Sequence, residues 1–399
     1  MGLKLRFKVS AIVIALGIVS LFTDASTEMI VPILPLFLVF VLHADYLLIG
    51  FIDGLAEVTT NTVRIFSGWC ADRFSRRKPF LLFGYGIGAF LKPLMGLSTA
   101  WWQIAILRSS ERLGKGMRGP PRDALVADAT ERSIRGRAFG LHRALDTTGA
   151  LIGSVVALLL VTFLAGVEGD KYRAILILSA IPAVIGFFIL LIFVKEAGGC
   201  TEKKGLKSSF KSLTREVKLF FLVSTLLSMG ATNLSFMILR GADTGFSDHM
   251  LILFYILFNL VYALTSYPLG VTSDLTGRRV FLVLGFGIAA VVQVFLAFAS
   301  VSPVLIVLSF LINGIFMAMT DGMQKAFVVD LTPCDARGTA LGIHYALAGA
   351  SAFTGGVLTG WVWTNYNPCY AFLIPAFILL SGIAGFILIF GIRKKIPTY

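Results

Sequence analysis

Along this 399-residue chain, apolar positions gather into twelve long stretches separated by short polar ones, at roughly 9–40, 44–67, 79–99, 102–127, 137–166, 173–194, 219–240, 249–273, 280–300, 303–330, 338–364 and 369–392. Crossing the hydrocarbon core of a bilayer takes about 20 helical residues, and each stretch supplies them. The pattern therefore predicts an all-α membrane protein with twelve transmembrane helices. Its one long polar interruption, 195–218, divides six stretches from six, so we expect an N-terminal half over 1–194, a cytoplasmic linker, and a C-terminal half over 219–399. Within the linker, Phe210, Leu213 and Val217 have the spacing of a short amphipathic helix lying on the membrane face. The first stretch follows Lys4, Arg6 and Lys8 with no small-residue cleavage site, which marks a retained span and not a signal peptide.

The two sixes repeat one another. Gly68-Trp-Cys-Ala-Asp72-Arg73-Phe-Ser-Arg76-Arg77 returns 202 residues later as Gly270-Val-Thr-Ser-Asp274-Leu-Thr-Gly-Arg278-Arg279. The same offset, without a gap, carries Asp128 onto Asp330, Gly140 onto Gly342, His142 onto His344 and Gly153 onto Gly355. A parallel repeat in an apolar chain implies two halves about a pseudo-two-fold axis along the membrane normal, an architecture of transporters.

Composition agrees. With 57% hydrophobic residues and a mean hydropathy of +0.85, the chain carries more apolar surface than a soluble domain can hide. Charge then sets orientation. With the amino terminus inside, 23 Lys and Arg fall in the tails, linker and loops of one side, whereas the other side holds mainly Lys171, Arg173 and Arg240. By the positive-inside rule both termini are expected in the cytoplasm of a prokaryotic cell, in its inner membrane. The net charge of +13 then reflects topology and lipid headgroups, so nucleic acid is not an expected partner. Cys70, Cys200 and Cys334 fall on the inner side and Cys369 outside, with neither disulfide nor metal-ligand spacing.

The repeated segment resembles the loop signature of the major facilitator superfamily, Gly-x-x-x-Asp-Arg-x-Gly-Arg-Arg/Lys, between helices 2 and 3 and again between 8 and 9. Ser75 replaces a glycine in the first copy and Leu275 an arginine in the second. The resemblance covers essentially the whole chain and implies alternating access. It further implies that Gly68, Asp72, Arg73, Arg76 and Arg77, with Gly270, Asp274, Arg278 and Arg279, form a conformational latch of the outward-facing state. The fourth stretch resembles the family pattern Arg-x-x-Gln-Gly-x-Gly at Arg108, the arginine linked there to proton coupling, with Glu111 and Arg112 as departures. Gly140, Gly149 and Gly153 keep the glycine spacing of the antiporter motif, with Ser154 in place of its proline. In these motifs the chain resembles prokaryotic proton-coupled exporters.

Charged groups at bilayer depth cost about 2.5 kcal/mol or more each and face partners or watery cavities. On the fourth helix Arg108, Glu111, Arg112, Lys115, Arg118 and Arg122 share an arc of about 120° at 100° per residue. Asp24 and Glu28 lie one turn apart on the first helix, and Asp53, Glu57 and Arg64 align on the second. Asp24, Asp53, Arg108 and Arg112 fall at one depth near the middle, where acids and bases are expected to pair. Arg143 and Asp146 suggest a further pair on the fifth helix, with His142 beside them. Shifted by 202, the helix-4 charges become Phe310, Asn313, Gly314, Met317, Thr320 and Gln324, so the architecture does without them and function explains them better.

Asp24, Glu28, Asp53 and Glu57 are thus the candidate proton carriers, with Arg108, Glu111 and Arg112 as their electrostatic partners. The candidate substrate cavity joins Lys115, Arg143 and Asp146 to Asn233, Tyr255, Asn259, Tyr262, Asn313, Gln324 and Tyr345, an aromatic and amide lining suited to an amphipathic organic molecule. We expect a secondary transporter of a small organic solute, coupled to protons, exporting, and working as a monomer. Uptake of an anionic metabolite or iron chelate, and a non-transporting sensor or assembly factor, are the competing readings. No nucleotide-binding loop is present, and His43, His142, His249 and His344 have no nucleophile or metal-ligand spacing, so neither an enzyme, a cofactor nor a bound metal is expected.

Overall fold

The computed structural model describes residues 10–74, 77–130, 135–164, 168–196, 213–231, 233–333 and 337–391. Fifteen helices among these residues form twelve rods of membrane length. In the first half these are α1 (Ala11–Ile30) continued by α2 (Leu34–Phe40), α3 (Tyr46–Phe74), α4 (Lys78–Gly96), α5 (Trp101–Asp128), α6 (Arg135–Phe163), and α7 (Glu168–Leu178) continued by α8 (Ala180–Phe193). In the second they are α9 (Arg215–Gly230) continued by α10 (Leu234–Asp243), α11 (Asp248–Thr276), α12 (Arg278–Ala297), α13 (Val304–Leu331), α14 (Arg337–Asn365) and α15 (Pro368–Phe390). The repeat survives folding: α3 and α11, like α6 and α14, are offset by 202 residues at both ends.

Ten of the rods are long and apolar enough to span a membrane; α3 and α5, equally long, are not among them. Their intramembrane charges are what set those two apart. Three rods are broken for local reasons. Pro32 removes an amide donor between α1 and α2, and Pro35 sits in the first turn of α2, where a missing N–H costs nothing. Ser179, between α7 and α8, has its carbonyl taken by the Ser26 hydroxyl at 2.5 Å. Asn233 restarts α10 by accepting the Ser235 amide at 2.9 Å.

Inside the bundle the halves meet along α3 against α14 and α6 against α11, and α2 packs on α10. The end of the bundle opposite the start of α1 is closed: Tyr172 and Lys171 both reach Asp248 at 2.7 Å, and the rings of Tyr46 and Trp363 stack at 4.3 Å. At the other end, where α1 begins and α15 finishes, a cavity of about 1020 Å³ separates the halves and reaches Gly270, Ser273 and Arg278.

The α3–α14 contact is backbone on backbone. A Cβ added to Gly50 would collide with the carbonyl of Gly356, whereas one added to Gly140 would meet nothing within 4 Å. Gly50→Ala is therefore expected to destabilise by about 1–3 kcal/mol through overpacking, and Gly140→Ala to be neutral or slightly stabilising. Thermal unfolding of the two variants side by side checks this, and equal melting temperatures would refute it.

Candidate functional site

The charged face of α5 folds into a buried network. Arg108 Nη1 lies 3.0 Å from Glu111 Oε2, and Arg112 Nε approaches the same oxygen at 3.7 Å. Arg112 Nη1 also reaches Glu57 Oε1 on α3 at 3.9 Å. Arg108 and Glu111 are 3% and 1% exposed, and Arg108 Nε and Glu111 Oε1 have no hydrogen-bond partner, so the charges neutralise one another without saturating their polar atoms. Further along α5 the arginines turn to other helices. The Arg118 guanidinium lies 4.5 Å over the Tyr85 ring, and Arg122 donates to Ser20 at 3.3 Å and to Asp123 at 3.0 Å.

One member of this region escaped the sequence reading. Lys92 of α4 is fully buried, and its Nζ donates to Ser26 Oγ at 2.7 Å and Thr27 Oγ1 at 3.0 Å on α1. The signal was a lone ammonium inside the otherwise apolar stretch 79–99. Through Ser26 and the Ser179 carbonyl it ties three helices together.

Two of the acids are held by the opposite half. Glu28 accepts a hydrogen bond from the Tyr255 hydroxyl, and Asp53 Oδ2 accepts from Asn233 Nδ2 at 3.1 Å. The cavity itself brings together Asp24, Glu28, Lys115, Arg143 and Asp146 from the first half, with Asn259, Tyr262 and Asp321 facing them. Asp53, Glu57, Arg108, Glu111 and Arg112 are not part of its wall, nor are Asn233, Tyr255, Asn313, Gln324 and Tyr345. Asn313 and Gln324 instead keep buried, unpartnered amide oxygens within the second half, and Tyr345 lies between Arg64 and Lys325, 5.5 and 6.0 Å from its ring centre.

The expected Arg143–Asp146 pair does not form. Arg143 points into the open space and meets the Tyr262 hydroxyl at 3.5 Å, while Asp146 turns inward to His142 Nδ1 at 3.7 Å. Three residues along a helix place the two side chains some 60° apart, so that within the same cavity wall Arg143 lies toward Tyr262 and Asp146 toward His142. Across the cleft, Tyr262 donates to Asp321 at 3.2 Å and Lys325 pairs with Asp321 at 2.7 Å.

Of the latch, Arg76 and the side chains of Asp72, Arg73 and Asp274 lie outside the described residues, and Gly68 is placed only as part of α3. Arg77 pairs with Asp128, and its amide donates to Glu196 at 2.6 Å. Arg278 meets Asp330 at 2.5 Å, and Arg279 donates to the Phe390 carbonyl. Asp128, Asp330 and Phe390 each belong to the same half as the arginine they meet. Gly270 faces the cavity.

The model of the Major Facilitator Superfamily matches residues 16–239 and 220–398. An uncharacterized MFS-type transporter of Methanocaldococcus jannaschii is 35% identical over 384 residues, 94% of this chain and 93% of the relative. Multidrug resistance protein MdtG of Enterobacter lignolyticus is 26% identical over 376 residues, 90% of this chain and 87% of the relative. Among solved structures, the nucleoside transporter NupG superposes with a TM-score of 0.79 at 16% identity, over 96% of this chain and 100% of that one, a likeness of fold. With both halves matched, the chain belongs to the Major Facilitator Superfamily and is a multi-pass membrane transporter of that family.

Proposed function

We propose that this transporter couples protons to the export of a small organic solute, as a monomer in the cytoplasmic membrane with both termini in the cytoplasm. The observation that carries this is the cavity, which gathers Asp24, Glu28 and Asp146 into one water-accessible space beside Lys115 and Arg143. On this reading the open end faces the cytoplasm and receives solute, and closure around it re-forms the cavity toward the other side. Glu28 and Asp53 are held here by Tyr255 and Asn233 of the opposite half. Parting the halves at the closed end strips both carboxylates of those partners, and a carboxylate whose partners differ between two states binds protons differently in them. Likeness to a multidrug resistance protein over most of its length supports export.

Asp24→Asn and Glu28→Gln are expected to abolish proton movement driven by solute, leaving solute binding within a few-fold of wild type. A pH-sensitive dye in proteoliposomes reads the first and calorimetry the second. Wild-type coupling in both variants would overturn the proposal. Lys115 and Arg143 in the same wall favour one alternative, uptake of an anion. In that case Lys115→Ala selectively destroys binding of a carboxylate-bearing ligand while a neutral one still binds.

A further inference from the structure

The two seams between the halves are equivalent by the repeat but differ in build. Along α3–α14, glycines bring backbones together: Cβ atoms on Gly50, Gly54 or Gly360 would collide with the opposing helix, and one on Gly349 would lie 3.2 Å from the Glu57 carbonyl. Contact continues to Gly342, where a Cβ would sit 3.6 Å from Ile65. This seam is shut from the closed end well toward the open one.

Among the described residues the other seam has no such glycines. Offset by 202, Gly50, Gly54, Val58 and Ile65 become Ile252, Ile256, Leu260 and Tyr267 on α11, while Gly349, Gly356 and Gly360 become Thr147, Ser154 and Leu158 on α6. Branched and aromatic side chains hold these helices apart. Ile252, Ile256 and Ser154 are buried near the closed end, but Leu260 is 41% and Tyr267 80% exposed, with Leu151 opposite at 39%. Glycines on this stretch, Gly140 and Gly270, face open space. The cavity runs into the gap, its wall including Thr147, Leu151, Leu260 and Tyr267. Its inner end is acidic: Asp146 is 8% exposed with Oδ1 unpartnered, and Asp24, Glu28 and Asp146 outnumber Lys115 and Arg143 in the first-half wall.

We infer that the α6–α11 seam is a portal to the bilayer leaflet at the open end, and that the solute is an amphipathic amine taken from that leaflet. Its apolar body passes between Leu151 and the Leu260–Tyr267 edge, and its ammonium reaches Asp146. This rests on the cavity being the transport path proposed above.

Two measurements on the full chain in phosphatidylcholine–phosphatidylglycerol nanodiscs test it. A benzophenone amino acid at position 147 or 262 is expected to form phospholipid adducts on illumination, and one at position 61, in the glycine seam, is not. Gly140→Trp combined with Gly270→Trp fills the gap without touching the packed seam and is expected to cut the adduct at 262 at least fivefold. Octyltrimethylammonium is expected to bind at least about tenfold more tightly than tetramethylammonium after subtraction of empty-disc partitioning, since buried methylenes add affinity. No lipid adduct at 147 and 262 in the otherwise wild-type chain would overturn the portal, and equal binding of the two ions would overturn the amphipathic solute. Lipid adducts together with unaltered proton coupling in Asp24→Asn and Glu28→Gln would leave the portal standing and remove the coupling mechanism instead.

Discussion

Glu111→Leu is expected to destabilise the protein by about 3–5 kcal/mol, because removing one partner of a buried ion pair leaves the others charged and unpaired. Glu111 is the only carboxylate touching both Arg108, at 3.0 Å, and Arg112, at 3.7 Å, among the described residues. The repeat supplies a compensated replacement. Phe310, Asn313 and Gly314 stand where the first half has Arg108, Glu111 and Arg112, and Phe310 and Asn313 are as deeply buried as their counterparts. Arg108→Phe, Glu111→Asn and Arg112→Gly together are therefore expected to restore thermal stability to near wild type, less about 1 kcal/mol for a glycine inside a helix. The same triple variant is expected to lose solute-driven proton movement altogether. Thermal unfolding in detergent and a pH-dye assay in proteoliposomes separate the two effects. A Glu111→Leu protein as stable as wild type would show that the arginines find other partners, and a triple variant that still couples would make the network structural only.

The sequence showed the rods and the repeat because both are one-dimensional. Membrane spans are runs of apolar residues bounded by charge, and the 202-residue offset is visible in residues as specific as Asp128 and Asp330. Helical phase likewise brought Arg108, Glu111 and Arg112 to one face, and the structure joins them. What phase does not contain is the partner across a space. Arg143 and Asp146 are close along the chain, yet one faces Tyr262 and the other His142, because the direction of each is set by where α1 and α11 stand. Asn233 and Tyr255 are legible as polar residues of the second half, but that they donate to Asp53 and Glu28 is set by how the two halves meet. Lys92 went unremarked because it has no acidic neighbour at helical spacing, and its hydroxyl partners come from α1, more than sixty residues away. The seams illustrate the same limit. Glycines at 342, 349 and 356 are legible as a seven-residue pattern, but only the packing shows that they meet Ile65, Asn61 and Gly50.

Asp248→Ala is expected to shift the resting population toward opening at the closed end by roughly tenfold or more. Asp248, the first residue of α11, receives Tyr172 Oη and Lys171 Nζ, each at 2.7 Å, from the opposite half. Hydrogen bonds to a charged group contribute about 1.5–3 kcal/mol each, and one such loss already moves a two-state equilibrium about tenfold. At the open end Arg77 meets Asp128 and Arg278 meets Asp330, each contact lying within one half. Spin labels at Thr99 and Val301, exposed in equivalent loops of the closed end, report the shift as a growing population at longer distance. Lys171→Ala is expected to give a smaller shift, since the tyrosine hydroxyl still reaches Asp248. An unchanged distance distribution in Asp248→Ala would place the closing energy elsewhere, in the Tyr46–Trp363 stack and the α2–α10 contact, and Trp363→Ala would then have to produce the shift that Asp248→Ala did not.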